Sequence, residues 1–388
     1  MNDKFIDELA RIAGNFEIPD KIISIAPLGK GHINDTFLVT CRITCRDDAN
    51  AAYRRNAERR FVLQRINTQV FKSPESLMHN MFVVTEHVSK AAANAGRDPA
   101  RTSLTMIPLP KRRGTSGVCY IFKDGNDCWR MTGFIDGTHS CETADDTAVF
   151  KEIGAGYGRF LMMLSDLPAD SVSETIKDFH NARKRYAELM TAFNSDVCGR
   201  AAGVASEMEF VIKRESLMDQ LNDAVSGGRL PLRITHNDTK INNVLIDNET
   251  GMAICVIDLD TVMPGLAIND FADAIRSGAC TGREDEQDLS RLHFDTDLFA
   301  AFADGFLREF TCMTEEEIRM LPDACVLMAI ECGMRFLTDY LQGDTYFKTD
   351  RPGQNLDRCR AQFRLAEEME SKKDEMRRII RSISLMAL

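Results

Sequence analysis

The stretch that decides the fold is THNDTKINNVLI at residues 235–246, followed by CVIDLD at residues 255–260. It combines the pattern H-x-D-x-x-x-x-N with a short apolar strand, a turn at residues 247–251, and a second apolar strand that leads into an acid. A turn of this kind folds two such strands into a hairpin. The pattern therefore predicts that Asn243 and Asp258 meet at the same end of the paired strands.

This order of acids and amides is typical of phosphoryl transfer from ATP to a hydroxyl group. The reaction needs a carboxylate that faces the attacking hydroxyl, and Asp238 is the candidate. It also needs an amide oxygen and a second carboxylate to hold Mg²⁺ against the phosphates, and Asn243 and Asp258 fit that need. Asp260 is predicted to share the metal, because in a strand it lies on the same face as Asp258. A merely structural polar turn is the alternative, and five matched positions argue against it.

The chain around this motif divides into two regions of different character. Residues 1–133 predict mostly strands, namely residues 24–28, 36–40, 61–66, 118–122 and 129–135, with one helix at residues 74–94 that begins with proline. A polar, basic insertion occupies residues 46–60. Residues 134–388 predict helices at 150–167, 174–193, 206–225, 296–309, 315–341 and 367–381, around the short strands 244–246 and 254–257. We therefore predict an α+β fold with two units, residues 1–133 and 134–388.

Composition narrows the function classes. The chain has 388 residues, of which 44% are hydrophobic and 28% charged, as in ordinary globular proteins. Its net charge of −11 argues against nucleic acid as a partner. The charge is uneven: residues 1–133 carry 20 Lys and Arg against 14 Asp and Glu, whereas residues 134–388 carry 28 against 45. This asymmetry favours two units with different partners.

Cysteines and the N-terminal segment indicate a compartment. The twelve cysteines include no C-x-x-C pair, and buried reduced thiols are favoured over a zinc pair at Cys41 and Cys45. The first residues form an amphipathic helical pattern without the apolar core of a signal peptide. No apolar stretch reaches membrane-spanning length. We therefore expect a cytoplasmic protein without a membrane partner.

These motifs resemble the aminoglycoside phosphotransferase/choline kinase superfamily of protein-kinase-like small-molecule kinases. A narrower resemblance, to the N-acetylhexosamine 1-kinase type, extends from about residue 22 to residue 365. It is carried by the stretches GHINDTF (31–37), VLQRIN (62–67), HNDTK (236–240), DLDTVMPG (258–265), RFLTDY (335–340) and GDTYF (343–347).

The resemblance implies a two-lobe kinase-like fold and roles for particular residues. Asp238 would be the catalytic carboxylate, and Asn243 and Asp258 would be magnesium ligands. A hinge that reads adenine through its backbone would lie at Phe134 to Asp136. Two departures stand out. The lysine that holds the nucleotide phosphates in protein kinases is replaced by Arg65, which we expect to contact the phosphates; a surface arginine on an exposed strand is the alternative. Glu75 or Glu86 would be the helix carboxylate that orients Arg65. The second departure is the loop at residues 29–35, which is not G-x-G-x-x-G.

The acceptor would lie against Asp238 and contact Asn34 or Asp35, together with Arg335 and Tyr346. A structural Arg–carboxylate pair and a core tyrosine are equally weighted alternatives for the last two residues. The resemblance also implies that a segment containing Asp270, Asp273 and Arg276 braces the catalytic loop.

The reaction predicted first is transfer of the γ-phosphoryl group of ATP-Mg to the anomeric hydroxyl of an N-acetylhexosamine. Choline, an aminoglycoside or another sugar are alternative acceptors within the same enzyme class. A non-catalytic nucleotide-binding module and a protein kinase are less favoured, the latter because the chain has no D-F-G and no A-P-E motif. The sequence indicates no oligomeric state.

Overall fold

The computed structural model describes residues 3–18, 21–29, 33–42, 58–111, 118–144 and 146–387. Its chain forms two compact units, Met1–Thr138 with Ser171–Thr175, and His139–Asp170 with Ile176–Leu388. Three features singled out in the sequence lie outside the described residues: positions 30–32 of the glycine-containing turn, Cys45, and residues 46–57 of the basic insertion.

The first unit is built on one antiparallel sheet of five strands, ordered β1-β2-β3-β5-β4. Its strands are β1 (Lys21–Pro27), β2 (Asp35–Arg42), β3 (Glu58–Ile66), β4 (Phe122–Asp124) and β5 (Asp127–Gly133). Its helices are α1 (Asp3–Ala13), α2 (Pro74–Asn94) and α3 (Pro99–Thr102). The predicted helix at residues 74–94 is confirmed, and the Ser73 side chain caps it. The predicted strand at residues 118–122 is wrong, since pairing with β5 begins only at Phe122.

The two faces of this sheet have different chemistry. On one face, Phe37, Leu63 and Met131 pack with Leu9 and Ile12 of α1 in a buried hydrophobic cluster. Successive residues of a strand point to opposite faces. The other face therefore carries the alternate positions of β2, β3 and β5, which are polar over part of their length.

The second unit contains nine helices and four strands within the described residues, and the two-residue strand β6 (Thr138–His139) lies at the boundary. Its helices are α4 (Thr147–Met163), α5 (Ala182–Ser195), α6 (Ala205–Ile212), α7 (Glu215–Ser226), α8 (Ala267–Gly278), α9 (Thr296–Glu309), α10 (Glu315–Leu341), α11 (Gln354–Ser371) and α12 (Lys373–Ala387). Its strands are β7 (Arg233–Thr235), β8 (Val244–Asp247), β9 (Ala253–Val256) and β10 (Met263–Gly265). The predicted hairpin is confirmed, because β8 and β9 pair in antiparallel fashion.

Three predicted helices differ from the observed ones. The helix predicted at residues 174–193 begins only at Ala182, because the Asn181 side chain caps it by accepting the Lys184 N–H. The helix predicted at 206–225 is divided into α6 and α7, and the one predicted at 367–381 falls on parts of α11 and α12. No helix in the described part of the chain is both long and apolar enough to cross a membrane.

Candidate active site

The side chain of His236 fixes the loop that follows β7 and contains Asp238. Its Nε2 lies 2.9 Å from the carbonyl oxygen of Ile257, and its Nδ1 accepts the Asp238 N–H at 3.3 Å. Because a carbonyl only accepts, these contacts place the ring proton on Nε2 and leave the imidazole neutral. The ring is fully buried and packs edge-on against Tyr157 and Phe160. His236 is therefore a structural residue that ties the loop to the end of the hairpin.

Asn237 adopts the left-handed backbone conformation, with φ at 64°. Its N–H and that of His236 donate to the two carboxylate oxygens of Asp270, each at 2.7 Å. Its side-chain amide donates to the carbonyls of Thr261 and Met263 at 3.0 and 3.4 Å. Burial raises the pKa of Asp270 to about 6, so the carboxylate is ionised above that pH. Residue Asp270 thus braces the catalytic loop, as predicted.

A second acid of α8, Asp273, also holds the backbone of this loop. Asp273 accepts the Thr239 N–H at 3.0 Å and is held by the guanidinium of Arg276 at 2.7 and 2.9 Å. Burial opposes its charge, but the attraction of Arg276 outweighs it and lowers the pKa of Asp273. The predicted bracing role of this segment is confirmed for all three residues.

The carboxylate of Asp238 binds the side-chain ammonium of Lys240, whereas those of Asp270 and Asp273 accept backbone N–H groups of the loop. The Nζ of Lys240 lies 2.9 and 3.0 Å from the two carboxylate oxygens of Asp238. Burial opposes the charge of Lys240, but the attraction of Asp238 outweighs it and raises the pKa of the ammonium. The Tyr157 hydroxyl donates to the Lys240 carbonyl at 2.7 Å and fixes its backbone. Lys240 was not among the predicted site residues, although its position two residues after Asp238 could have indicated it.

Asn243 and Asp258 are brought to the same end of the hairpin. The Ile257 N–H donates to the Asn243 carbonyl at 2.9 Å, which extends the β8–β9 ladder up to Asp258. The Asn243 side-chain nitrogen donates to the Asp238 carbonyl at 3.0 Å, which leaves its amide oxygen for another partner. The predicted convergence of the two residues is confirmed by this pairing.

Asp258 ends the strand rather than continuing it. Its backbone is left-handed, with φ at 59° and ψ at 56°, a conformation that costs a non-glycine residue about 1 kcal/mol. The next residues, Leu259–Thr261, form a 3₁₀ turn, so Asp258 is exposed whereas Asp260 is buried. The prediction that Asp260 shares a strand face with Asp258 is therefore wrong, and with it the reason for making Asp260 a metal ligand.

The donor set fits a divalent cation that is bound partly by phosphate. No group of three or more His, Cys, Asp or Glu side chains among the described residues could hold a metal ion by itself. Mg²⁺ typically takes one or two protein ligands and completes its shell with water and substrate phosphates. An amide oxygen at Asn243 and an exposed carboxylate at Asp258 meet that requirement.

The two acceptor candidates of the second unit are held differently. Arg335 on α10 lies with its guanidinium carbon 5.7 Å from the ring centre of Phe179 and 5.5 Å from that of Phe347. Tyr346 is 65% exposed, which rules out the alternative of a core tyrosine. The buried carboxylate of Asp339 accepts the backbone N–H groups of Tyr346 and Phe347 at 2.8 and 3.0 Å. Both aromatic residues after the α10 terminus are thus fixed to that helix.

The acceptor and nucleotide candidates of the first unit are engaged in contacts within that unit. Asn34 is buried, and its side-chain oxygen accepts the Asn67 N–H at 2.9 Å. Arg65 donates to Asp35 at 2.9 Å and to Asp127 at 3.4 Å. It also lies over the Trp129 ring, on the sheet face that packs against α1.

Neither predicted helix carboxylate orients Arg65, so that prediction is wrong. Glu75 binds Lys123 at 2.6 Å, and Glu86 lies 4.0 Å from Lys90. Because Arg65 lies on the α1 face, the argument that placed it at the nucleotide phosphates is lost.

The predicted hinge uses part of its backbone inside the first unit. The Phe134 N–H donates to the Arg60 carbonyl at 3.0 Å, and the Asp136 carbonyl accepts from Arg101 at 2.9 Å. The Asp136 carboxylate binds Arg60 at 2.6 Å. An adenine at this segment would therefore use the other backbone groups, the Phe134 carbonyl and the Asp136 N–H.

A polar row on the opposite face of the sheet was not predicted from the sequence. Arg130 is 1% exposed, and its Nε donates to the side-chain oxygen of Gln64 at 2.9 Å. The Gln64 amide in turn donates to the Thr36 hydroxyl at 3.2 Å. The Arg130 Nη1 lies 3.5 Å from the sulfur of Met81 on α2. Gln64, next to Arg65, is thus the β3 residue that faces α2.

Comparisons with known proteins agree with this fold. Residues 24–310 match the model of the phosphotransferase enzyme family (APH). A microcompartment-associated aminopropanol kinase is similar in structure, with a TM-score of 0.61, 16% identity, and coverage of 96% of this chain and 98% of that chain. An aminoglycoside phosphotransferase from Alicyclobacillus acidocaldarius subsp. acidocaldarius DSM 446 gives 0.60, with 12% identity and 96% coverage of both chains.

A further similar structure is the amicoumacin kinase hAmiN, solved with AMP-PNP, Ca²⁺ and Ami. Its TM-score is 0.54, with 13% identity and coverage of 96% of this chain and 94% of that chain. At these identities the three structures establish the fold, a kinase-like α+β architecture with an antiparallel sheet in the N-terminal region and helices in the C-terminal region.

Proposed function

The chain belongs to the phosphotransferase enzyme family (APH), and on that premise we propose that it transfers the γ-phosphoryl group of ATP to a sugar hydroxyl. The acceptor we propose first is the anomeric hydroxyl of an N-acetylhexosamine. The observation that carries the proposal is the loop around Asp238, where His236, Asp270 and Asp273 bind the backbone on both sides of one partly exposed carboxylate.

Asp238 is proposed to receive the acceptor hydroxyl. In the transfer, the acceptor oxygen forms a bond to the γ-phosphorus while the bond from that phosphorus to the bridging oxygen of ADP breaks. The hydroxyl proton passes to the Asp238 carboxylate, and ADP leaves. Because the transition state is loose, correct placement of the hydroxyl contributes more than proton removal does.

Lys240 is proposed to keep Asp238 ionised and aimed. Its ammonium lies within 3.0 Å of both carboxylate oxygens, and its raised pKa keeps it charged at neutral pH. A substrate hydroxyl would share this carboxylate with the ammonium, so Lys240 also offers a cation close to the transferring group.

Asn243 and Asp258 are proposed to hold the divalent cation, which we take to be Mg²⁺. Both residues lie at the end of the hairpin ladder, which supports a shared ion. Mg²⁺ bound with ATP would neutralise charge on the phosphate groups. The left-handed backbone of Asp258 supports a functional role, because such strain is found preferentially at active sites.

Arg335 and Tyr346 are proposed to bind the acceptor, with the guanidinium and the phenol as hydrogen-bond donors to sugar oxygens. The two rings that flank Arg335 are Phe179 and Phe347, and they are occupied by its guanidinium. A quaternary ammonium would need such aromatic faces for itself. The arrangement therefore favours a neutral polyhydroxylated acceptor over choline.

A phosphorus NMR assay with ATP, Mg²⁺ and a panel of acceptors tests the proposal. The panel holds N-acetylglucosamine, N-acetylgalactosamine, glucose, galactose, choline and kanamycin. A sugar 1-phosphate signal from an N-acetylhexosamine is expected. Product from choline or kanamycin alone would overturn the acceptor assignment while keeping the phosphotransferase. ATP binding without any phosphorylated acceptor would point instead to a nucleotide-binding module.

A further inference from the structure

Both ring nitrogens of the buried His180, which lies two residues before α5, meet an oxygen. Nε2 lies 2.9 Å from the carbonyl oxygen of Asn237, and Nδ1 lies 3.2 Å from Oε1 of Glu331 on α10. A backbone carbonyl can only accept a hydrogen bond, and so can an ionised carboxylate. Hydrogen bonds to both oxygens therefore require a proton on each nitrogen, which makes His180 an imidazolium.

We propose that the His180–Glu331 pair is a positioning device that aims Asp238 through the carbonyl of Asn237. The inference rests on the proposed function, because it gives His180 a role in the reaction only if Asp238 receives the acceptor hydroxyl. Neither residue is assigned a contact with substrate.

The peptide group between Asn237 and Asp238 explains how the pair acts. That group is planar, so its carbonyl and its N–H turn together. The carbonyl is bound by His180, and the N–H donates to Nδ1 of His236. The two histidines thus hold opposite sides of the peptide group that leads into Asp238. Loss of one contact would let this group rotate and move the carboxylate.

The same pair connects the catalytic loop to the helix that carries the acceptor candidate. Glu331 and Arg335 are one turn apart on α10. The ring of Phe179 packs 4.8 Å from that of His180 and lies under the guanidinium of Arg335. One face of α10 therefore contacts both Phe179 and His180. An acceptor bound at Arg335 would act on the same helix whose Glu331 holds His180 against the Asn237 carbonyl.

The charges around His180 favour its protonated form. Glu331 faces it from α10, and Asp270 and Asp273 face it from α8, with Arg276 bound to Asp273. Burial opposes the charge, but the hydrogen bond that His180 donates to Glu331 outweighs it and raises the pKa of His180. The neutral ring has a single N–H, and the Glu331 carboxylate holds it on Nδ1 more strongly than the Asn237 carbonyl would hold it on Nε2. The hydrogen bond to Asn237 is therefore present at low pH and is lost as the pH rises through the raised pKa of His180.

NMR of protein labelled with ¹⁵N at histidine tests the charge state without measuring activity. The His180→Gln variant identifies the His180 signals, and the 55%-exposed His293 serves as the internal control. We expect both His180 nitrogens to stay protonated above the pH at which an unperturbed imidazole loses its proton. We also expect the Asp238 amide signal to follow the His180 titration. A neutral His180 ring at pH 7, or an Asp238 amide that ignores the titration, would overturn the proposal.

Kinetics of three variants test the positioning role. In Glu331→Gln the alkaline fall of kcat should move to lower pH, because the carboxylate no longer supports the imidazolium. In His180→Gln, whose amide can still donate to Asn237, kcat should drop about tenfold and lose that alkaline limb. In His180→Phe, kcat should drop about 10²-fold, the effect of losing one oriented donor, with the KM for ATP within about twofold. His293→Gln should leave the pH profile unchanged.

An alkaline limb that stays in place in both Glu331→Gln and His180→Gln would contradict the proposal. If His180→Phe fails to fold, Glu331→Gln and the NMR titration still decide the matter. If no acceptor is phosphorylated by the unmodified protein, the proposed function fails, whereas the histidine titration still shows whether the pair exists and whether it reaches Asp238.

Discussion

The ammonium of Lys240 and the carboxylate of Asp238 form a close ion pair, with Nζ 2.9 Å from Oδ1. The two residues are separated by Thr239, whose N–H and hydroxyl are both bound by α8. The pair is thus set by a rigid backbone, although the Lys240 side chain is 44% exposed. This fixed backbone supports the proposal that the pair acts in the reaction.

We predict that Lys240→Met lowers kcat by about 10²-fold, the usual effect of removing one oriented charge partner at a reacting group. Stability should change little, because the side chain is partly solvated. Steady-state kinetics with the identified acceptor measure the effect. Lys213→Met is the matched control, since Lys213 forms an exposed ion pair with Glu209. Equal loss in both variants would contradict the role of Lys240.

We predict that Asp270→Asn destabilises the protein by about 1–3 kcal/mol at pH 7, because one of two buried N–H groups loses its acceptor. Urea unfolding of both proteins measures this difference. Activity should fall as well, since the same N–H groups fix the loop before Asp238.

The pH dependence of this difference follows from the raised pKa of Asp270, about 6. A carboxyl group with a raised pKa takes up a proton on folding between its ordinary pKa and about 6. Its contribution to the free energy of unfolding is therefore greatest at low pH and declines as the pH rises to about 6. The difference between the unmodified protein and Asp270→Asn should shrink over that range and level off above it. A difference that grows with pH would mean that the pKa is lowered instead.

We predict that substitutions of Arg65 and Arg130, on opposite faces of the sheet, differ in their effect on the free energy of unfolding. Arg65→Gln should change the free energy of unfolding by less than about 1 kcal/mol, because its ion pairs are at the surface. It should leave the KM for ATP within about twofold. Arg130→Met should cost about 1–3 kcal/mol, since it leaves the Gln64 oxygen unsatisfied in a buried place. Chemical unfolding and ATP titration give both quantities, and a large rise in the KM for ATP in Arg65→Gln would restore its predicted role at the phosphates.

We predict that Arg335→Met raises the KM for the acceptor by about tenfold or more, the loss expected for one or two hydrogen bonds from a charged donor. The KM for ATP should stay within about twofold. Arg319→Met, on the same helix, is the control because Arg319 is exposed and pairs with Glu316. An unchanged acceptor KM would remove Arg335 from the acceptor site and leave it as a structural residue.

Local pattern was enough to predict the catalytic loop and the hairpin. The spacing of Asp238, Asn243 and Asp258 encodes their meeting, because a short turn leaves the two strands no other pairing. The prediction that Asp260 shares a strand face with Asp258 was wrong because the left-handed backbone of Asp258 interrupts the alternation of the strand. The residue type aspartate does not by itself indicate that conformation. The prediction that Glu75 or Glu86 orients Arg65 was wrong because the face on which Arg65 lies depends on the register of β3 in the whole sheet.

His180 could not be predicted for a different reason. Its partners Asn237 and Glu331 are 57 and 151 residues away in the chain, so only the folded structure joins them. The predicted helix also covered it, whereas the capping residue Asn181 shows that the helix starts after it. The local signal for this helix start was Asn181, a residue type that often caps helices; its side chain accepts the N–H of Lys184.

The most direct test of the account compares the unmodified protein with Asp238→Asn in the phosphorus NMR assay, using ATP, Mg²⁺ and an N-acetylhexosamine. Asn keeps the size of the side chain and removes the carboxylate that receives the hydroxyl proton. We predict formation of the sugar 1-phosphate by the unmodified protein and a loss of turnover of at least about 10³-fold in the variant. ATP binding, measured by calorimetry, should be nearly unchanged. Equal turnover in the two proteins would contradict the central claim that Asp238 carries the reaction.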